Sequence, residues 1–363
     1  MTKANKKKIC IVASSLGKGG AEKSSALLSI ILSDLGYEIF IVTVLDHIDY
    51  DYKGSLFNLG EIKKKNDTIF GRFNRLLIFK KFLKTNNIDL VIDGRTRIQA
   101  YKEIIISQLV YKVPVIYVIH NYNREKAFTA FSWLNKTLYK NKPMIAVSKE
   151  AEAKFKDLYQ LNNTRTIYNA FDFDAIAVKA NEPIDFETEN YVIFYGRLDD
   201  DHKNLKLLFE AYKLSDLPKH DVKLLILGNG PDEAQLKLYA KELELLDVIV
   251  FEGFQKNPYP YVKHSLFMVL TSRFEGFPMV IPEALSLSIP VVSVNCKSGP
   301  SEVIVNEHNG LLVENHKPII FAEAMNTIYN DKELYLKCKQ NAKASVEQFS
   351  KHRIAEQWQS LLK

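Results

Sequence analysis

Four junctions between apolar runs and polar loops carry residues able to handle a phosphorylated, hydroxyl-rich ligand. The run Tyr191-Val192-Ile193-Phe194-Tyr195 ends in Gly196-Arg197-Leu198 and passes into Asp199-Asp200-Asp201-His202-Lys203-Asn204. An arginine fork and a lysine point charge six positions apart, both just past one strand end, suit a diphosphate. A solvated charged loop has the same spacing. The three aspartates raise a metal–nucleotide alternative, but Arg197, His202 and Lys203 already compensate their charge, and the expectation is no metal. Further on, Ser272-Arg273-Phe274-Glu275-Gly276-Phe277-Pro278-Met279-Val280-Ile281-Pro282-Glu283 places two glutamates eight apart. Pro282 fits the first turn of a helix. Glu275 then falls on the loop, Met279 and Val280 offer free backbone N–H groups, and Glu283 projects from the helix. Such a set can meet sugar hydroxyls, a phosphate and a ribose, although each glutamate alone would also serve as a cap or surface carboxylate.

Two glycine turns complete the group. Gly17-Lys18-Gly19-Gly20-Ala21-Glu22 follows the first apolar run and precedes a helical stretch, where glycine allows close backbone approach and the helix start favours negative charge. It matches neither the GxGxxG dinucleotide fingerprint nor a P-loop, and a plain tight turn accounts for it equally well. Gly228-Asn229-Gly230-Pro231 ends another run in the same way.

These junctions need a scaffold that brings strand ends together. In the front half, strand-like runs at 8–13, 38–44, 89–92, 114–119 and 143–147 alternate with amphipathic stretches, the first at 21–35. The pattern restarts at 191–195, 222–227, 247–251, 266–270 and 290–294. Continuous apolar strands alternating with helices indicate parallel sheets covered on both faces. The fold class is therefore α/β, with two tandem Rossmann-like, doubly wound domains at 1–178 and 179–349. The polar segment 179–189 is the expected linker. In such sheets ligands sit beyond the carboxyl ends of the strands, where the four junctions fall.

Composition agrees and removes other classes. The 363 residues are 47% hydrophobic and 25% charged, as in folded soluble proteins. No apolar run approaches the ~18 residues of a membrane span, and the basic start lacks the apolar length of a secretory signal. Cys10, Cys296 and Cys338 are far apart and odd in number, against a disulfide framework or zinc site and in favour of a reducing cytoplasm. Charge is uneven. Residues 1–170 hold 28 Lys and Arg against 15 Asp and Glu, a net +13, and the remainder is −7. A basic half is suited to nucleic acid, an anionic membrane or a phosphorylated substrate.

The Gly196-Arg197-Leu198 to Lys203-Asn204 element together with Glu275 and Glu283 resembles the retaining GT-B glycosyltransferases of family 4. Supporting segments run nearly the length of the chain in the family's order: 17–22, His120, 146–149, 228–231, 251–254, 299–302 and 309–313. The resemblance implies two domains facing a central cleft, with a C-terminal helix near 350–363 returning to the first. It gives Arg197 and Lys203 the donor diphosphate, Glu275 the donor-sugar hydroxyls, and Glu283 the ribose. Backbone around Gly276, Phe277, Pro278, Met279 and Val280 helps hold the sugar. Gly19 and Gly20 allow the front domain to approach the donor, and Gly196 opens the diphosphate loop. His120 would lie by the anomeric centre, and Gly228, Gly230, Gly253 and Phe254 by the nucleobase. Arg95, Arg97 and Asn121 are the expected acceptor contacts, although Asp93 could simply pair with one of the arginines.

The resemblance further implies transfer from a nucleotide-diphosphate sugar, UDP-linked by family usage, to a glycan or lipid-linked glycan of bacterial surface polysaccharide, lipopolysaccharide or glycoprotein assembly. No cofactor or metal is implied. Residues 61–84 interleave Lys63, Lys64, Lys65, Arg72, Arg75, Lys80, Lys81 and Lys84 with Phe70, Phe73, Leu76, Leu77, Phe79 and Phe82. Residues 124–142 repeat the character with Phe128, Phe131 and Trp133. Such stretches lie at anionic membrane interfaces or pack as ordinary amphipathic helices. The expectation is a cytoplasmic, peripheral enzyme at the inner face of the plasma membrane. Rival readings are a GT-B nucleotide-sugar epimerase and a nucleic-acid-binding α/β protein, for which no recognition motif is present.

Overall fold

Each run of buried, β-rich residues becomes a strand of one of two all-parallel sheets. The computed structural model describes residues 6–17, 19–184, 186, 190–314 and 316–363. Lys18 and residues 185 and 187–189 of the expected linker lie outside the described residues. The first sheet comprises β1 (Lys8–Ala13), β2 (Glu38–Thr43), β3 (Ser55–Asn58), β4 (Leu90–Asp93), β5 (Val115–Ile119), β6 (Met144–Ala146) and β7 (Thr164–Thr166), in the order β3-β2-β1-β4-β5-β6-β7. The second comprises β8 (Tyr191–Tyr195), β9 (Lys223–Leu227), β10 (Ile249–Gly253), β11 (Met268–Leu270), β12 (Val291–Val294) and β13 (Gly310–Val313), in the order β10-β9-β8-β11-β12-β13. Strands β1, β4, β5 and β8 are buried almost throughout because helices cover both faces.

In each sheet the strand order reverses beside its first strand. β1 lies between β2 and β4, and β8 lies between β9 and β11. Ligand crevices of doubly wound sheets form at such reversals. The loops that follow β1, β4, β8 and β11 are thereby placed at the two switch points. β3 and β7 escape the sequence pattern because they are short, half-polar edge strands, and the four-residue edge strand β13 lies outside it too.

The chain divides into two compact units, the first ending at Ala170 and including Lys351–Lys363, the second spanning Phe171–Ser350. The first crossing lies upstream of the expected boundary at 178. The reason is local: helix Phe173–Lys179 packs against helices Tyr259–His264 and Val280–Ser286 of the second unit. The terminal helix Lys351–Leu362 rejoins the first unit, packing on helix Gly20–Asp34 with Ile354, Trp358 and Leu362 buried.

Candidate functional site

In the second unit, the loop after β8 folds through its own side chains. Asp199 caps the single turn Asp200–Lys203 by accepting from the His202 N–H. Asp200 accepts from the Lys206 N–H at 3.0 Å, and its own N–H donates to Asp232 at 2.7 Å. Two of the three aspartates are thus spent on backbone capping, and among the described residues no group of three or more His, Cys, Asp or Glu side chains is arranged to hold a metal. Asn204, at φ 55°, ends the turn. The loop after β11 is laced to this one. The Arg273 N–H donates to the His202 carbonyl at 2.9 Å, and Thr271 Oγ1 donates to the Lys203 carbonyl at 3.0 Å.

That lacing brings Lys203 Nζ to 2.7 Å from Glu275 Oε1, with His202 Nε2 3.8 Å from Glu275 Oε2. The His202 ring stacks on Phe274 and its Nε2 lies 2.8 Å from the Phe274 carbonyl. Burial pushes the Glu275 carboxyl upward, but the charges of Lys203 and His202 beside it, with the hydrogen bond from Lys203, hold it below the usual glutamate range. Arg197 is different: its side chain is exposed, and no ion pair ties it among the described residues. One fixed and one free cation therefore flank the start of this loop, which begins at Gly196.

Glu283 lies on helix Val280–Ser286 and is only 4% exposed. The Tyr195 hydroxyl donates to its Oε2 at 3.2 Å and to the Val280 carbonyl at 2.7 Å, and the Tyr259 hydroxyl donates to its Oε1 at 3.3 Å. Burial and the neighbouring Glu283 push the Tyr195 hydroxyl well up, so it stays a donor. Sequence reasoning missed both tyrosines. Tyr195 was visible as the last strand residue before Gly196; Tyr259 had no local signal. Phe277 is buried against Phe349 and Phe171, and Pro278 with it, which leaves Gly276, Met279 and Val280 half-buried at the loop surface.

The glycines of the 228–231 turn have a packing cause. A Cβ on Gly228 would meet the Gly196 carbonyl at 1.9 Å, and one on Gly230 the Leu198 carbonyl at 2.1 Å. The turn is thus pressed onto the Gly196-Arg197-Leu198 backbone. The Gly228 N–H donates to the Gly253 carbonyl at 2.7 Å, which sets exposed Phe254 near the same turn.

In the first unit, Gly19 caps helix Gly20–Asp34, and both glycines reach the surface. His120 follows β5 and lines a narrow cavity of about 20 Å³ together with Ser25, Gly94, Asn169 and Trp358. Its Nδ1 is buried with no hydrogen-bond partner among the described residues. Burial and the Arg97 charge push its imidazole down to about 4, so the ring is neutral near pH 7. Half-buried Asn121 holds its own turn, its side-chain oxygen accepting from the Asn123 N–H at 2.8 Å.

The two arginines expected at the acceptor are not presented to a ligand. Arg95 pairs with Asp93 at 2.7 Å and Glu103 at 3.3 Å. Arg97 is 1% exposed, covered by the rings of Tyr117, Phe128 and Tyr139. Asp93 also accepts from the Tyr111 hydroxyl at 2.9 Å. Arg95 is drawn inward to pair with the buried Asp93 and Glu103 carboxylates, whereas Arg97 is held by backbone carbonyls. The basic-aromatic stretch at 61–84 forms two helices, Leu59–Lys65 and Ile69–Thr85, separated by the Thr68 cap. Phe79 and Leu83 are buried and Phe82 stacks on Phe57. Ile69 and Phe70 are 81% and 87% exposed, with Phe73 and Leu77 at least half exposed. Phe131 and Trp133 are likewise exposed, whereas Phe128 is core.

A family model described as glycosyl transferases group 1 matches residues 178–345. The N-acetylgalactosamine-N,N'-diacetylbacillosaminyl-diphospho-undecaprenol 4-alpha-N-acetylgalactosaminyltransferase of Campylobacter jejuni is 30% identical over 96% of this chain and 97% of its own length. Among solved structures, a variant of S. aureus TarM in complex with Fondaparinux, alpha-GlcNAc-glycerol and UDP superposes with a TM-score of 0.78 at 17% identity, covering 98% of this chain and 100% of its own. Anabaena HepE in complex with UDP-glucose gives 0.77 at 20% identity, covering 98% and 99%.

Proposed function

The chain belongs to the group 1 glycosyltransferases, with two parallel-sheet units of the GT-B type, and from that premise we propose that it is a retaining, metal-independent transferase of family 4. It moves a sugar from a UDP-sugar to a lipid-linked glycan acceptor in bacterial surface glycan assembly. The acceptor class is supported by the relative that acts on a diphospho-undecaprenol saccharide and the nucleotide by the UDP-bound fold neighbours.

The observation that carries the reading is the Lys203–Glu275 pair at the β8/β11 switch point, with Arg197 free beside it. Arg197 and Lys203 bind the diphosphate and stabilise the charge that develops as the bond from the anomeric carbon to phosphate oxygen breaks. The acceptor hydroxyl attacks from the same face, and its proton passes to the departing phosphate oxygen. This scheme retains configuration without a protein nucleophile. Glu275, ionised and buried, accepts hydrogen bonds from donor-sugar hydroxyls once Lys203 turns to phosphate. Glu283, held by Tyr195 and Tyr259, takes the ribose. His120, neutral at the end of β5, acts on the donor sugar.

Membrane contact belongs to the same proposal. Among the described residues no helix is long and apolar enough to span a bilayer. The exposed Ile69, Phe70 and Phe73 sit among Arg72, Lys80 and Lys81 on one helix, a composition suited to the anionic inner face of the plasma membrane. Incubation with a panel of UDP-, GDP- and ADP-sugars and a lipid-diphosphate saccharide tests the reading. UDP release that requires acceptor supports transfer; nucleotide release or sugar interconversion without acceptor supports the epimerase instead.

A further inference from the structure

Arg97 is a fully buried cation that makes no ion pair among the described residues, and its hydrogen bonds there all run to backbone. Its Nη1 donates to the Arg95 carbonyl at 2.9 Å and to the Asp93 carbonyl at 3.4 Å, and its Nη2 donates to the Val118 carbonyl at 2.9 Å. Asp93 ends β4, and Val118 lies on β5 two residues before His120. The Arg97 backbone is itself tied, its N–H donating to the Ala127 carbonyl at 3.2 Å. Tyr117, Phe128 and Tyr139 hold the guanidinium carbon 5.2–6.0 Å from their ring centres, a favourable cation–π setting when desolvated. Asp93 and Glu103, with Arg95 and Arg97, form a buried quartet of two negative and two positive charges. Tyr111 and Tyr139 donate to its carboxylates at 2.9 and 3.0 Å. The cation is thus tolerated without any single carboxylate partner.

On the other side of the same strand ends, His120 packs close to Gly94. A Cβ added at Gly94 would lie 3.2 Å from His120 Nε2. The imidazole therefore rests on the loop whose carbonyls Arg97 grips, and it projects from the strand that Arg97 also grips.

We propose that Arg97 is the positioning residue for His120: by stapling the end of β5 to the loop after β4, it fixes where the imidazole stands and keeps a positive charge beneath it. The inference rests on the reading of His120 as a functional residue. The groups that share this environment are Asp93, Arg95, Glu103, Tyr111, Tyr117 and Tyr139. Asp93 and Glu103 are spent on Arg95 and the tyrosine hydroxyls, which leaves Arg97 as the charge that disfavours imidazolium. A lysine cannot reproduce the clamp, because one ammonium cannot hold carbonyls on two strands in a planar fork.

The test is a double-mutant cycle with a titration alongside it. The full chain is assayed for UDP release as wild type, His120→Ala, Arg97→Lys and the double variant, with folding followed by thermal melts. His120 is titrated by NMR in the wild type and in Arg97→Lys and Arg97→Met. We expect Arg97→Lys to lower kcat about 10-fold or more with donor KM little changed, and to add almost nothing in the His120→Ala background. Residues acting as one unit are non-additive in this way. Wild-type His120 should titrate near 4, held down first by burial and then by the Arg97 charge, and rise only part of the way toward the ordinary histidine value in Arg97→Met, where burial remains. Equal losses from Arg97→Lys in both backgrounds, or a wild-type His120 that titrates as a free histidine, would overturn the inference. Should Arg97→Lys and Arg97→Met fail to fold, Arg97→Gln, which keeps a planar head able to donate to carbonyls, is carried through the same cycle and titration. Full activity in His120→Ala would instead remove the underlying reading of His120.

Discussion

Lys203 and Glu275 stand 72 positions apart in the chain, yet their charged atoms meet at 2.7 Å, both side chains largely buried. The contact exists because β8 and β11 are neighbours at the point where the second sheet reverses its order. It makes Lys203 a structural partner in addition to its proposed role as a donor cation, whereas the exposed Arg197 has only the proposed role.

Replacement of the two cations should therefore separate activity from stability. Arg197→Ala and Lys203→Ala should each lower turnover at least about 100-fold, the scale of losing one transition-state charge stabiliser. Lys203→Ala should also lower stability, by about 3–5 kcal/mol if Glu275 stays ionised without its partner. Arg197→Ala should leave stability within about 0.5 kcal/mol of wild type. Urea melts beside UDP-release assays give both readings; wild-type turnover in either variant rejects the placement of the diphosphate.

Acid should weaken the same contact in a defined direction. The folded Glu275 carboxyl is held below its unfolded range, so its contribution is present above that range and disappears as pH falls through the lower folded value. The stability advantage of wild type over Glu275→Gln should be largest near neutral pH and shrink below the ordinary glutamate range. An advantage that stays constant from pH 7 to pH 3 would contradict it.

Tyr259→Phe should act on donor binding. Loss of the hydroxyl that donates to Glu283 costs about 1 kcal/mol, several-fold in donor KM, with kcat nearly unchanged. A fall in kcat at constant KM would mean that Glu283 works on the reacting bond rather than on the ribose.

The anionic-surface reading rests on a helix whose two halves differ. Ile69→Ser with Phe70→Ser and Phe73→Ser should reduce flotation with anionic vesicles, and replacing Lys63, Lys64, Lys65, Lys80 and Lys81 with Gln should do so in a salt-dependent way, at about 1 kcal/mol per basic residue near the surface. Neither change should alter UDP-sugar binding. Wild type that ignores anionic vesicles at low salt ends this reading.

Strand cores were legible in the sequence because a buried parallel strand is a continuous apolar run. β1 and β8 needed nothing more, whereas β3 and β7 have polar edge faces and no such run. The loops after β8, β9 and β11 were legible as charge and glycine at strand ends, since local chemistry and local position coincide there. The fate of Arg95 and Arg97 was not. Whether an arginine after a strand faces a ligand or the core depends on Asp93, Glu103 and three aromatic rings brought in from other elements. The split of the 61–84 stretch was equally hidden, because Phe82 finds Phe57 and Phe70 finds nothing. Tyr259 likewise meets Glu283 only through tertiary packing.

Product stereochemistry is the most direct test of the central claim. The protein, UDP-sugar and a lipid-diphosphate saccharide acceptor are incubated with EDTA, and the new glycosidic linkage is read by NMR. The account predicts acceptor-dependent UDP release at undiminished rate and a linkage with the same anomeric configuration as the donor. An inverted linkage, or activity abolished by EDTA and restored by Mg²⁺ or Mn²⁺, would contradict it.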